Sequence, residues 1–193
     1  MDRTRSLAFG GIALALVVIL MRLSSVAVGG DNVLVLFAGF LVFFITRLQG
    51  LRYGALLYVA GVIANVFFAL APAAVMFDFP VGLTALLLGC YDNMRQPSIK
   101  MFCAVSAASM LVLTNAAMFL FMKLFIVSVR DSFFRHFGIQ SETLLVFVYA
   151  SGFGIITGVL GAIIFESFSL MIAKRLGVKL ITPKAKAAGR EHG

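Results

Sequence analysis

Charge is scarce in this 193-residue chain, and histidine and cysteine are scarcer. Charged residues make up 12% of it and hydrophobic ones 62%, where soluble domains carry about 25% charged residues. Four stretches, residues 7–21, 53–77, 101–122 and 143–165, contain no charge at all. Runs of that length and number exclude a soluble core and imply a polytopic helical membrane protein.

The missing chemistry is equally informative. There is no Gly-rich phosphate loop with its lysine, no His/Cys cluster at metal-ligand spacing and no nucleophile elbow. The two histidines, His136 and His192, have no evident partner. The sequence therefore predicts no catalytic residues, no metal and no cofactor. Cys90 and Cys103 flank the polar loop 92–100, which comes out cytoplasmic below, so reduced packing residues are expected rather than a disulfide. No internal repeat is visible, which removes support for inverted-repeat transporter folds.

What charge there is clusters. Six of the sixteen cations (Lys174, Arg175, Lys179, Lys184, Lys186, Arg190) fall in the last twenty residues. No aromatic-basic module accompanies them, so nucleic acid is not the expected partner. A cytoplasmic tail facing anionic lipid headgroups is.

The 53–92 stretch organises the chain. Residues 53–70 suffice for one crossing, Pro72 favours a turn, and a return helix over about 73–90 would carry Asp78 and Pro80 in its first turns. Counting this hairpin as two crossings gives six spans, about 6–24, 32–46, 52–70, 73–90, 100–126 and 143–172. Twelve cations then lie inside (Arg3, Arg5, Arg47, Arg52, Arg95, Lys100 and the tail) against four outside (Arg22, Lys123, Arg130, Arg135), as the positive-inside tendency requires. The expected fold is one all-α domain over 1–175, six transmembrane helices with short loops and both termini cytoplasmic, followed by a basic tail over 176–193. Residues 33–46 are short for a span and could be tilted or re-entrant. Residues 47–52 read as a tight basic loop. The first segment also fits a signal peptide ending near Ala27, but a retained helix is the preferred reading. The glycines at 152, 154, 158 and 161 suggest close helix packing along the last span.

In this topology Asn65, Asp78, Asn115, Lys123 and Tyr149 come from four spans yet share one depth, in the outer half. Intramembrane polar groups are costly and face the interior or a water-filled cavity, so these five are the candidate solute-binding residues. The alternative is interfacial: Lys123 snorkelling, Asp78 capping a helix, Tyr149 in an aromatic belt. Asp78 with Lys123 would suit a zwitterion. At the other end, Glu166 could pair with Arg95, Lys100 or Lys174, or meet a cytoplasmic partner. Asp92 and Arg95 carry the same two readings.

Six short-looped helices, a first helix TRSLAFGGIALALVVIL with a basic start and small residues, and an outer polar cluster together resemble the S components of energy-coupling factor (ECF) transporters. In that family an Ala-x-x-x-Ala pattern on the first helix packs against a transmembrane coupling protein. Here Gly11 and Ala15 hold those places, a departure from the usual alanines that keeps the residues small. The resemblance implies a membrane-embedded binder of a small-molecule solute, vitamin-like or another micronutrient. It would work with a coupling protein and two cytoplasmic ATPases in a bacterial or archaeal cytoplasmic membrane. Gly11, Ala15, Arg95 and Glu166 are then the candidate partner-binding residues. A similar layout also resembles MreD-like scaffold proteins of rod-shape machinery, in which Arg47, Arg52, Asp92, Arg95 and Glu166 would form the working surface.

Overall fold

A backbone in hydrocarbon must satisfy its own hydrogen bonds, and a charge-free run does so as a helix. The computed structural model describes residues 3–26, 31–68, 75–95, 98–124, 135 and 143–177. Among them are six α-helices and no strand: α1 (Arg3–Val26), α2 (Asp31–Gln49), α3 (Leu51–Phe68), α4 (Gly82–Arg95), α5 (Ile99–Leu124) and α6 (Thr143–Leu176). A π-helical turn, Phe77–Val81, leads into α4. Four helices are long and apolar enough to cross a membrane, over Leu7–Ser24, Asn32–Gln49, Ile99–Leu120 and Val146–Leu176. The apolar part of α3, Leu51–Asn65, is shorter. The chain is a multi-pass protein of a cell membrane. The expected turn at 71–72, the outer loop with His136 and the basic tail beyond residue 177 lie outside the described residues.

The centre of the bundle is α2, not the hairpin that follows it. Of the Asn32–Gln49 window 61% is buried, against 22% to 28% in the other three. It packs against α1, α3, the π turn, α4 and α6, and its Phe43 reaches α5 at Phe102. Read from sequence as a short segment, tilted or re-entrant, it is a 19-residue helix, roughly 28 Å at 1.5 Å per residue and close to a full hydrocarbon thickness. The sequence reading lost its last turn by assigning Arg47 to a loop. That loop is one residue, Gly50, whose φ of 93° lets its N–H bond Thr46 O at 2.9 Å and α3 start at once. An L-residue pays heavily for that conformation; glycine does not.

Aromatic rings fill the space around α2. Phe43 stacks on Phe165 at 5.5 Å and tilts against Phe102 at 5.7 Å, while Phe40 meets Phe165 at 5.9 Å and Phe168 at 6.1 Å. Such pairs contribute about 0.5–1.5 kcal/mol each beyond area burial. Below them Thr46 is wedged between Gly54 of α3 and Gly89 of α4, where a Cβ on Gly89 would lie 2.6 Å from Thr46 Cβ.

The return helix is not uniform. Pro80 has no N–H to give, so the α ladder cannot run through it. The chain widens by one residue, and the Gly82 N–H bonds Phe77 O in an i to i−5 register.

The α5–α6 seam depends on two of the four glycines singled out in α6. A Cβ on Gly158 would lie 2.7 Å from Ala107 Cα, and one on Gly154 would lie 3.1 Å from Met110 O. The Ser106 hydroxyl crosses the same seam to Gly158 O at 2.7 Å. A Cβ on Gly152 would meet nothing within 4 Å, and one on Gly161 only a Leu36 methyl at 3.7 Å. Gly158→Leu should therefore force α5 and α6 apart and lower stability by about 1–3 kcal/mol. Gly152→Leu should leave it within about 0.5 kcal/mol. Thermal unfolding of the two variants in one detergent compares them directly.

Candidate functional site

Polar groups collect at the two ends of the bundle. At one end lies an ion network that ties three helices. Arg47 is 8% exposed and continues the face of α2 that carries Phe40, Phe43 and Phe44. Its Nε sits 2.6 Å from Asp92 Oδ2 of α4, and its Nη1 donates to Glu166 Oε2 of α6 at 2.7 Å. Nη2 reaches Glu166 Oε1 at 3.3 Å, and Nη1 also bonds Ser169 Oγ at 2.6 Å. The Nε contact is an ion pair by distance without the alignment of a hydrogen bond. Ser169 donates in turn to Glu166 O at 3.0 Å, and the guanidinium lies 5.9 Å from the Phe43 ring centre. Beside it, Asn93 Nδ2 donates to Thr46 O at 2.8 Å.

Glu166 and Asp92 are thus paired with Arg47, a cation the sequence reading had placed in a loop and had not offered as their partner. Helical spacing could have found it. Residues 40, 43, 44 and 47 stand at i, i+3, i+4 and i+7, one face of one helix. Arg95 ends α4 with its side chain outside the described residues.

The residues expected at the outer end form two separate pairs. Asn65, 2% exposed, donates from Nδ2 to Asp78 Oδ1 at 2.8 Å. The Tyr58 hydroxyl donates to Asp78 O. Here α3 holds the π turn: Asp78 takes neutral donors, and no ion pair to it is present among the described residues. Asn115 Nδ2 donates to Leu111 O at 2.8 Å and to Ser151 Oγ of α6 at 3.1 Å. No described hydrogen bond joins the first pair to the second. Lys123 belongs to α5, with its side chain outside the described residues.

Tyr149, half-exposed, lines a cavity of about 40 Å³ with Asn32, Met76, Thr114, Met118, Ala150 and Phe153. Thr114 is 1% exposed, and its Oγ1 makes no hydrogen bond within the protein. Sequence reasoning passed over Thr114, because a threonine in an apolar helix usually bonds back to its own turn, as Thr46 does to Val42 O at 2.7 Å.

On α1, Ala13, Val17 and Met21 are buried while Ala15 is exposed. A Cβ on Gly11 would meet nothing within 4 Å. The small pair therefore faces away from the other described helices.

The two ends differ chemically. The ion network is closed on itself, and no set of three or more His, Cys, Asp or Glu among the described residues could hold a metal. The cavity offers a buried hydroxyl with its bonding capacity unused. Arg47→Ala should strand two carboxylates and cost about 3–5 kcal/mol. Adding Asp92→Asn and Glu166→Gln should recover part of that loss, as chemical unfolding of the single and triple variants would measure.

Comparison with known proteins finds no match for the chain, whether among protein-family models, curated proteins or solved structures.

Proposed function

We propose that this protein is a solute-binding membrane subunit for uptake of a small molecule, similar in plan to an ECF S component. The carrying observation is the cavity among α2, α5, α6 and the residue before the π turn, with the unused Thr114 hydroxyl in its wall. In a six-span topology with both ends cytoplasmic, that cavity opens toward the outer half, where an uptake subunit must bind its solute. Of the five candidates named from sequence, Tyr149 lines this cavity, and Asn115, next in sequence to Thr114, pairs with Ser151 of α6.

The outward Gly11–Ala15 face of α1 suits the second half of the proposal. Small residues let a neighbouring helix approach closely, and a Cβ built on Gly11 would meet no described residue within 4 Å. The partner in this reading is a transmembrane coupling protein acting with two cytoplasmic ATPases. The scaffold alternative needs a working surface at the ion-network end. Three of its five residues, Arg47, Asp92 and Glu166, are committed to one another inside the bundle, which weighs for the transporter reading.

Affinity-tagged protein from its native membrane, purified in mild detergent, should bring down a large membrane subunit, paired ATPases and one stoichiometric metabolite. Gly11→Leu with Ala15→Leu should cut recovery of the protein partners at least tenfold without lowering the thermal stability of the isolated subunit. Recovery of cell-wall or cytoskeletal proteins with no metabolite would overturn the proposal and favour the scaffold.

A further inference from the structure

The cavity has a composition as well as a position. Asn32 comes from the first turn of α2, and Met76 from just before the π turn. Thr114 and Met118 stand one turn apart on α5, and Tyr149 and Phe153 one turn apart on α6. Four elements converge, and no charged side chain is among the described lining residues. Asp78 is engaged by Asn65, and the Arg47, Asp92 and Glu166 charges are held by one another at the far end of α2. An ion seated here would leave water and meet no counter-charge among the described lining residues, which is costly in a low-dielectric wall.

The polar demand of the cavity is specific. Other buried hydroxyls of the bundle, Ser106 and Thr46, are satisfied by Gly158 O and Val42 O, and Thr84 Oγ1 of α4, which also lacks a partner, is not among the residues lining this cavity. Thr114 is as deeply buried, its Oγ1 lacks a partner, and it does line the cavity. Leaving such a group without a partner costs about 1–3 kcal/mol, so the fold carries an unfavourable term that a bound hydrogen-bonding group removes. A volume of about 40 Å³ takes a group about the size of three water molecules, at roughly 10–15 Å³ each by this measure. Two thioethers beside it give an adaptable apolar wall.

We propose that this cavity binds the uncharged, hydrogen-bonding end of a small solute, such as an alcohol, amide or lactam group, with Thr114 Oγ1 as its direct partner. The inference rests on the solute-subunit reading for its biological sense, and it replaces the zwitterion that Asp78 and Lys123 suggested in sequence. Met76, Met118 and Phe153 receive the apolar part adjoining that group.

The test uses thiol probes of different charge on the full-length protein in lipid nanodiscs, with Cys90→Ala and Cys103→Ala removing the native thiols. In that background Thr114→Cys should react with uncharged methyl methanethiosulfonate at least tenfold faster than with its anionic sulfonatoethyl or cationic trimethylammonioethyl analogues. It should also outpace Val112→Cys, two residues away and 65% exposed on the bundle surface, by at least tenfold, because a thiol facing lipid lacks the polar surroundings it needs to ionise. Met118→Cys, one turn further on, should show the same preference and guards against a local effect of losing the hydroxyl. Comparable rates with the charged reagents, or a Thr114→Cys rate no higher than that of Val112→Cys, would overturn the proposal. The underlying reading fails separately. A site that passes while the purified protein carries no metabolite loses the transport role and keeps the cavity. An ionic metabolite keeps the transport role and refutes the uncharged site.

Discussion

One guanidinium between two carboxylates sets the geometry of this bundle. Arg47 is nearly buried, and an unpaired cation there would carry a desolvation penalty of several kcal/mol. It is tolerable because Asp92 and Glu166 arrive from α4 and α6 at 2.6 and 2.7 Å. That requirement fixes the rotation of α2, and with it the side on which Phe40, Phe43 and Phe44 meet the rings of α5 and α6. It also fixes the height at which Thr46 wedges between Gly54 and Gly89. The turn at Gly50 is tight for the same reason, since α3 must leave the end of α2 without disturbing the pair below.

The two ends of α2 consequently carry different chemistry. Asn32 and Arg47 are fifteen residues apart on one helix, roughly 22 Å along its axis. At the Arg47 end the interior charges Arg47, Asp92 and Glu166 are held by one another, and the arrangement serves cohesion. At the Asn32 end two pairs, Asn65–Asp78 and Asn115–Ser151, brace separate helix contacts, and one buried hydroxyl has spare capacity beside a cavity. A protein that binds an uncharged solute gains from this division. Its rigid ionic anchor lies far from the site, and the site's walls are methionine, phenylalanine and short polar side chains that can adjust to a guest. The outward small-residue face of α1 belongs to neither end and is free for a partner within the membrane.

Hydropathy made the class legible. The charge-free runs at 7–21, 101–122 and 143–165 became α1, α5 and α6, and Gly154 and Gly158 marked a real backbone seam. The kinship of Asn65 and Asp78 was also visible, since both were placed at one depth. What stayed hidden was hidden by context. Arg47 looked like loop charge because a one-dimensional reading ends a span at its first cation. Only the matching carboxylates, 45 and 119 positions further along, make it interior. The π turn escaped notice because Pro80 shifts the register locally without changing the hydropathy. Thr114 gave no signal, because its significance lies in a bond it does not make.

The central claim is that solute binding and structural cohesion occupy opposite ends of α2. A cryo-electron microscopy structure of the protein purified with its native metabolite tests this most directly. The account predicts non-protein density touching Thr114 Oγ1 among Asn32, Met118, Tyr149 and Phe153, with Arg47 still held between Asp92 and Glu166. Density seated instead on Arg47, with the ion pairs opened to receive it, would contradict the account.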